Sequence, residues 1–117
     1  MQTYRDLIVW QRSIQLVKAV YRLTERFPKA EMFGLTSQMR RAAVSIPANI
    51  AEGYARKHRA EYLQFLRISF GSGAELETFI ILAEELELAT KSETANTAQL
   101  LDETMRMLNK LNFFPSG

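Results

Sequence analysis

Few side chains in this 117-residue chain can do chemistry, and their spacing excludes most reactions. His58 is the one histidine, and there is no cysteine. Zinc sites draw on clustered Cys and His ligands, so the sequence offers no zinc motif. A di-iron bundle needs a Glu-x-x-His element on each of two facing helices, and the residue three before His58 is Ala55. A serine nucleophile would depend on His58 as its base. That imidazole lies among Arg56, Lys57 and Arg59, whose charges oppose the imidazolium that a general base must become. Gly71-Ser72-Gly73 has the look of a phosphate loop but lacks the third glycine and the preceding strand. The helical ribonuclease pattern of an arginine five to seven residues before a histidine also fails, because Ala51, Glu52 and Gly53 occupy those places. Paired acids such as Glu84-Glu85 read as a solvated face. The expectation is a protein without catalytic residues, metal or cofactor.

What remains is positive charge. Arg56-Lys57-His58-Arg59 is the densest basic cluster. Cations there complement the dipole of a helix ending at residue 56. They equally suit a phosphate-binding patch joined by Arg40, Arg41 and Arg67, with Tyr62 as a stacking side chain. The wider layout sharpens the choice without making it. Residues 1–67 carry twelve Lys/Arg against five acids, and residues 68–117 carry three against eight, although the net charge is only +2. A basic surface of this kind attracts RNA or DNA, or docks on the acidic surface of a protein partner or of a second copy.

Four segments of helical period must position these residues. The first spans residues 6–27, with Thr3 or Asp6 as N-cap and Pro28 as terminator. The second spans 35–56, opens with Thr36 or Ser37 as cap and contains Pro47, which predicts a kink between Ala43 and Pro47. One of its stripes, Gln38, Ala42, Ser45, Asn49 and Gly53, is small and hydrogen-bonding. The third segment, 59–90, has an apolar sector of about 220°, roughly twice that of a one-sided surface helix. Three neighbours would struggle to cover it, so a second subunit is expected to cover part. Gly71 and Gly73 inside it suggest close backbone contact. The fourth segment begins after a Ser92 cap, and Asn112 and Pro115 mark its end. Four helices with short connectors predict an all-α, antiparallel up-down-up-down four-helix bundle in one domain over residues 1–117.

Composition agrees. Hydrophobic residues make up 47% and charged residues 24%, an ordinary globular balance. The longest apolar run, Phe79-Ile80-Ile81-Leu82-Ala83, is far short of the roughly 20 residues that span a bilayer, so no membrane partner is expected. The lack of cysteine fits a cytoplasmic protein.

The stretch Gln38-Met39-Arg40-Arg41-Ala42-Ala43-Val44-Ser45-Ile46-Pro47-Ala48-Asn49-Ile50-Ala51-Glu52-Gly53 closely resembles the signature of a bacterial family. Its members are four-helix-bundle proteins first noticed as reading frames inside intervening sequences of 23S rRNA genes. Supporting matches are Asp6-Leu7 with Val9-Trp10-Gln11, Phe27-Pro28 before Glu31 and Gly34-Leu35, Gly71-Ser72 with Glu75-Leu76-Glu77-Thr78, and Arg106-Met107-Leu108-Asn109 before Leu111. Ser69 stands where the pattern would have a small alanine. The resemblance implies a ring-shaped homopentamer, similar to basic, nucleic-acid-binding accessory proteins of diversity-generating retroelements, with no enzymatic activity. Carried onto this chain, it marks Gln38, Arg41, Ser45, Asn49, Glu52, Ser72 and Glu75. The expectation is that they form a polar network bracing the second helix against the third or one subunit against another. A nucleic-acid surface would use Arg40, Arg41, Arg56, Lys57, Arg59 and Arg67. The alternative is a protein–protein adaptor that binds no nucleic acid.

Overall fold

Thr3 and Asp6 close the chain's first turn on each other. The Asp6 carboxylate accepts from the Thr3 N–H at 3.2 Å, and the Thr3 hydroxyl accepts from the Arg5 N–H at 3.1 Å. In the computed structural model, which describes residues 3–111, this box caps a short 3₁₀ turn, Tyr4–Asp6, rather than the first long helix. Leu7 is extended, and helix α1 runs Ile8–Thr24. It stops short of Phe27, whose N–H instead bonds the Thr24 carbonyl at 3.0 Å as the buried ring turns under the bundle. A second 3₁₀ turn, Lys29–Glu31, follows Pro28.

Helix α2, Leu35–Arg56, has the bounds its periodicity predicts and runs unbroken through the buried Pro47. Pro47 offers no N–H to the Ala43 carbonyl, so one intrahelical bond is absent there. The start is capped differently from expectation. Gly34 holds the N-cap position, and the Leu35 N–H reaches back to Glu31 Oε1 at 3.4 Å, while Thr36 is buried and Ser37 half-buried. After Lys57 in the left-handed region (φ 61°) and an extended His58, α3 runs Arg59–Glu85.

Helix α3 ends five residues before the expected Thr90. The Leu88 N–H bonds the Ala83 carbonyl at 2.8 Å and the Glu87 N–H bonds the Glu84 carbonyl at 3.0 Å. This is a Schellman closure with Glu87 at φ 60° in the place glycine prefers. Helix α4, Lys91–Leu111, is capped by Thr90 rather than Ser92. Thr90 Oγ1 accepts from the Glu93 N–H at 3.1 Å, and Glu93 Oε1 accepts from the Thr90 N–H at 2.9 Å, a reciprocal capping box. The Thr90 N–H chiefly, and Arg26 beyond it, hold the Glu93 carboxyl below its ordinary range. Its support for the helix is therefore present at neutral pH and is lost as the pH falls through the carboxylate range. The expected end markers Asn112 and Pro115 lie outside the described residues. Glu87→Gly relieves the left-handed Cβ penalty, and we expect it to stabilise the fold by about 1 kcal/mol, seen as a melting temperature several degrees higher.

Cross-helix contacts give the topology. Ion pairs to α4 come from Arg12 of α1, with Glu103, and from Arg26 just past the end of α1, with Glu93. The Ser69 hydroxyl donates to the Ile46 carbonyl at 3.0 Å and Ser72 donates to Ser45 Oγ at 2.8 Å, joining α3 to α2. Thr94 donates to Glu84 at 2.6 Å, and Met105 lies over Gly73, joining α4 to α3. In each set the numbers rise along one helix as they fall along the other, so the bundle is up-down-up-down. Leu16, Val20, Met39, Ile46, Ile50, Leu66, Leu76 and Leu108 are fully buried at its centre, each worth about 1.5–3 kcal/mol of burial. Two buried hydroxyls there are satisfied within their own helices, Ser13 by Trp10 O and Thr104 by Leu100 O. Among the described residues, no helix is long and apolar enough to cross a membrane.

Candidate nucleic-acid interface

The hairpin of α2 and α3 divides the six basic candidates. Arg56, Lys57 and Arg59 are exposed together at the turn, and Arg67 is exposed about 12 Å farther along α3. Arg40 and Arg41 lie about 22–24 Å away along α2. Arg40 is turned to α1, its guanidinium 4.4 Å from the Tyr21 ring centroid and its Nε donating to Thr24 Oγ1 at 2.9 Å. Arg41 stays exposed. At the turn, Arg56 pairs with Glu52 at 3.0 Å and lies 5.3 Å from the Phe65 ring centroid. Lys57, Arg59 and Arg67 have no ion-pair partner among the described residues.

The end charges of α3 add to its macrodipole. Lys57 and Arg59 flank its positive N-terminus, Glu84, Glu85 and Glu87 crowd its negative C-terminus, and Glu61 alone opposes the trend. For α2 the same turn is favourable, since Arg56 and Lys57 lie at its C-terminus. The α3 helix pays stability for a cationic end, with no side-chain cap at His58 to satisfy its first amides.

Beside these cations lies a cleft of about 420 Å³ lined by Gly53, Tyr54, Lys57, His58, Arg59 and Tyr62. The two tyrosine rings meet edge to face, centroids 6.2 Å apart at 79°. Tyr62 was expected from sequence as a stacking residue, and the structure adds Tyr54. The signal for Tyr54 was the hairpin itself: positions 54 and 62 fall opposite each other about a turn at 57 and 58.

The expected seven-residue polar network resolves into a smaller one. Asn49 Nδ2 donates to the Ser45 carbonyl at 2.8 Å and to Ser45 Oγ at 2.9 Å, and Ser72 completes it from α3. Glu52 is engaged by Arg56. Gln38, Arg41 and Glu75 are exposed and make no side-chain hydrogen bond to the described residues. Ser69, the departure from the family pattern, is buried and donates across to α2.

Outside this network runs an apolar surface. Ile68, Leu82 and Leu86 on α3 are 45%, 42% and 60% exposed, and Val44 on α2 is 43% exposed. At 100° per residue Ile68, Gly71, Glu75, Leu82 and Leu86 share one side of α3. Of the two glycines expected in close contact, Gly73 meets Met105, but Gly71 has nothing within 4 Å of its added Cβ. The close approach in this hairpin belongs to Gly53, where a Cβ would fall 2.7 Å from that of Phe65. Among the described residues, no group of three or more His, Cys, Asp or Glu could hold a metal ion.

A family model described as 23S rRNA-intervening sequence protein matches residues 5–110. The chain belongs to that family. A 1.70 Å crystal structure of a protein of unknown function from the S23 ribosomal protein family of Bacteroides thetaiotaomicron superposes on this member with a TM-score of 0.79. The two are 21% identical, and the match covers 89% of this chain and 97% of that one. That likeness supports the bundle fold. No curated protein matches the sequence. Neither comparison indicates a catalytic family.

Proposed function

We propose that this protein is a non-catalytic, self-assembling four-helix bundle that holds RNA or DNA at the α2–α3 end. The observation that carries the reading is the outward side of α3. Gly71 costs a helix about 1 kcal/mol relative to alanine, yet nothing among the described residues takes up the space, and Ile68 and Leu82 stand exposed beside it. A second copy packed there uses both the small residue and the apolar ones. Five copies is the number that the family resemblance implies. Repeating the turn around a closed assembly multiplies Lys57, Arg59 and Arg67 into one polyvalent cationic surface. A cysteine-free chain suits work in the reducing cytoplasm.

Light scattering and salt-dependent filter binding test the two halves of this reading. A mass several times 13.5 kDa and nucleic-acid affinity that falls steeply with salt are expected. Replacing Lys57 and Arg59 with alanine should flatten the log–log salt slope by about 0.7–0.9 per lost phosphate contact. A lone 13.5 kDa particle, stable on dilution, overturns the assembly. Failure to bind at low salt overturns the nucleic-acid role and favours a protein adaptor. One feature supports that second reading: Phe33, 96% exposed, borders an apolar cleft of about 580 Å³ with Met32 and Val44.

A further inference from the structure

We propose that the cleft lined by Tyr54, Tyr62 and the α2–α3 turn is a base pocket, taking one unpaired nucleotide of a single strand with its phosphate at Lys57 and Arg59. The inference rests on the nucleic-acid reading above and narrows it from a charged surface to a site that distinguishes strands with bases from bare phosphate chains.

The chemistry is concentrated in one place. The cleft, about 420 Å³, falls in the size range of small-ligand sites. Tyr62 packs close against α2: a Cβ on Gly53 would come within 3.2 Å of its Cδ1, so the glycine makes room for the ring. Tyr54 meets it edge to face, an arrangement that fixes both rings without stacking their faces together. Neither phenol makes a hydrogen bond to the described residues. Burial chiefly, and Tyr54 next, hold the Tyr62 phenol above its ordinary ionisation range. A base has an aromatic face for such a ring and polar edges for such hydroxyls.

The charges fit the other half of a nucleotide. Arg56 is engaged by Glu52, which leaves Lys57 and Arg59 as the free cations at the rim. The uncapped amides at the start of α3 face a negative group favourably. Two acids are close by in sequence, Glu52, which is engaged by Arg56, and Glu61, half-buried in the first turn of α3. A duplex keeps its bases stacked inside and offers only phosphate to this end of the molecule, whereas a single strand can insert one base.

Fluorescence anisotropy with a labelled single strand of mixed sequence and an abasic strand of equal length tests this at fixed salt. The protein should bind the normal strand roughly tenfold tighter than the abasic one. Tyr62→Leu should abolish that ratio while leaving the abasic affinity, the salt slope and the helical circular dichroism unchanged, and Tyr62→Phe should retain it. Equal affinity of the wild type for both strands, or a ratio untouched by Tyr62→Leu, overturns the pocket and leaves the charge-based reading standing. Binding to neither strand overturns both.

Discussion

Gly53→Ala is expected to lower the melting temperature by about 5–10 °C, the largest shift of any glycine substitution in the bundle. The added Cβ would fall 2.7 Å from the Phe65 Cβ and 3.3 Å from the Tyr62 carbonyl oxygen. Both atoms are tied directly to the α3 backbone, so no side-chain rotation clears the clash and the two helices must move apart. Overpacking of this kind costs about 1–3 kcal/mol. The other helix-interior glycines are the controls. Gly73→Ala displaces the flexible end of Met105, a smaller cost, and Gly71→Ala meets nothing among the described residues. Melts recorded at one protomer concentration separate the three. Equal melting temperatures for Gly53→Ala and Gly71→Ala would refute the close approach.

Replacing Ile68 and Leu82 together by aspartate is expected to reduce the particle to a single 13.5 kDa chain that keeps its helical spectrum. Both side chains are more than two-fifths exposed, so the protomer's own core loses little. Between subunits the same two positions would bury unpaired carboxylates, a cost of several kcal/mol that an apolar contact cannot absorb. Sedimentation or light scattering reads the outcome directly. A variant with the wild-type mass would move the subunit contact away from this side of α3.

The boundaries of α2 were legible because a proline-free start and a basic turn bracket an uninterrupted apolar period. The end of α3 was not. Apolar residues continue through Leu86, Leu88 and Ala89, and periodicity is blind to a backbone that turns left-handed at Glu87. Thr90-x-x-Glu93 carried the missing signal, a capping box read over as helix. Expecting Gly71 and Gly73 to behave alike failed for a related reason: a helical wheel says which side a residue takes, not whether a neighbour occupies that side. The motif's polar residues share a stripe, but only Ser45, Asn49 and Ser72 come within hydrogen-bonding range of one another. Sequence adjacency also overstated the basic patch, since Arg40 and Arg41 lie several helical turns from Arg56 and differ from each other in orientation.

The reinforced polarity of α3 has a kinetic corollary. Its 27 residues span about 40 Å, nearly the full 43 Å length of the molecule, so the helix acts as a compass needle lying along the particle. In the proposed assembly the components of these needles along the symmetry axis add, so a polyanion at a distance would turn the cationic ends towards itself before any collision. On that reading, encounters would arrive pre-aligned at low ionic strength, and dissolved salt, by shortening the reach of the field, would return them to random tumbling.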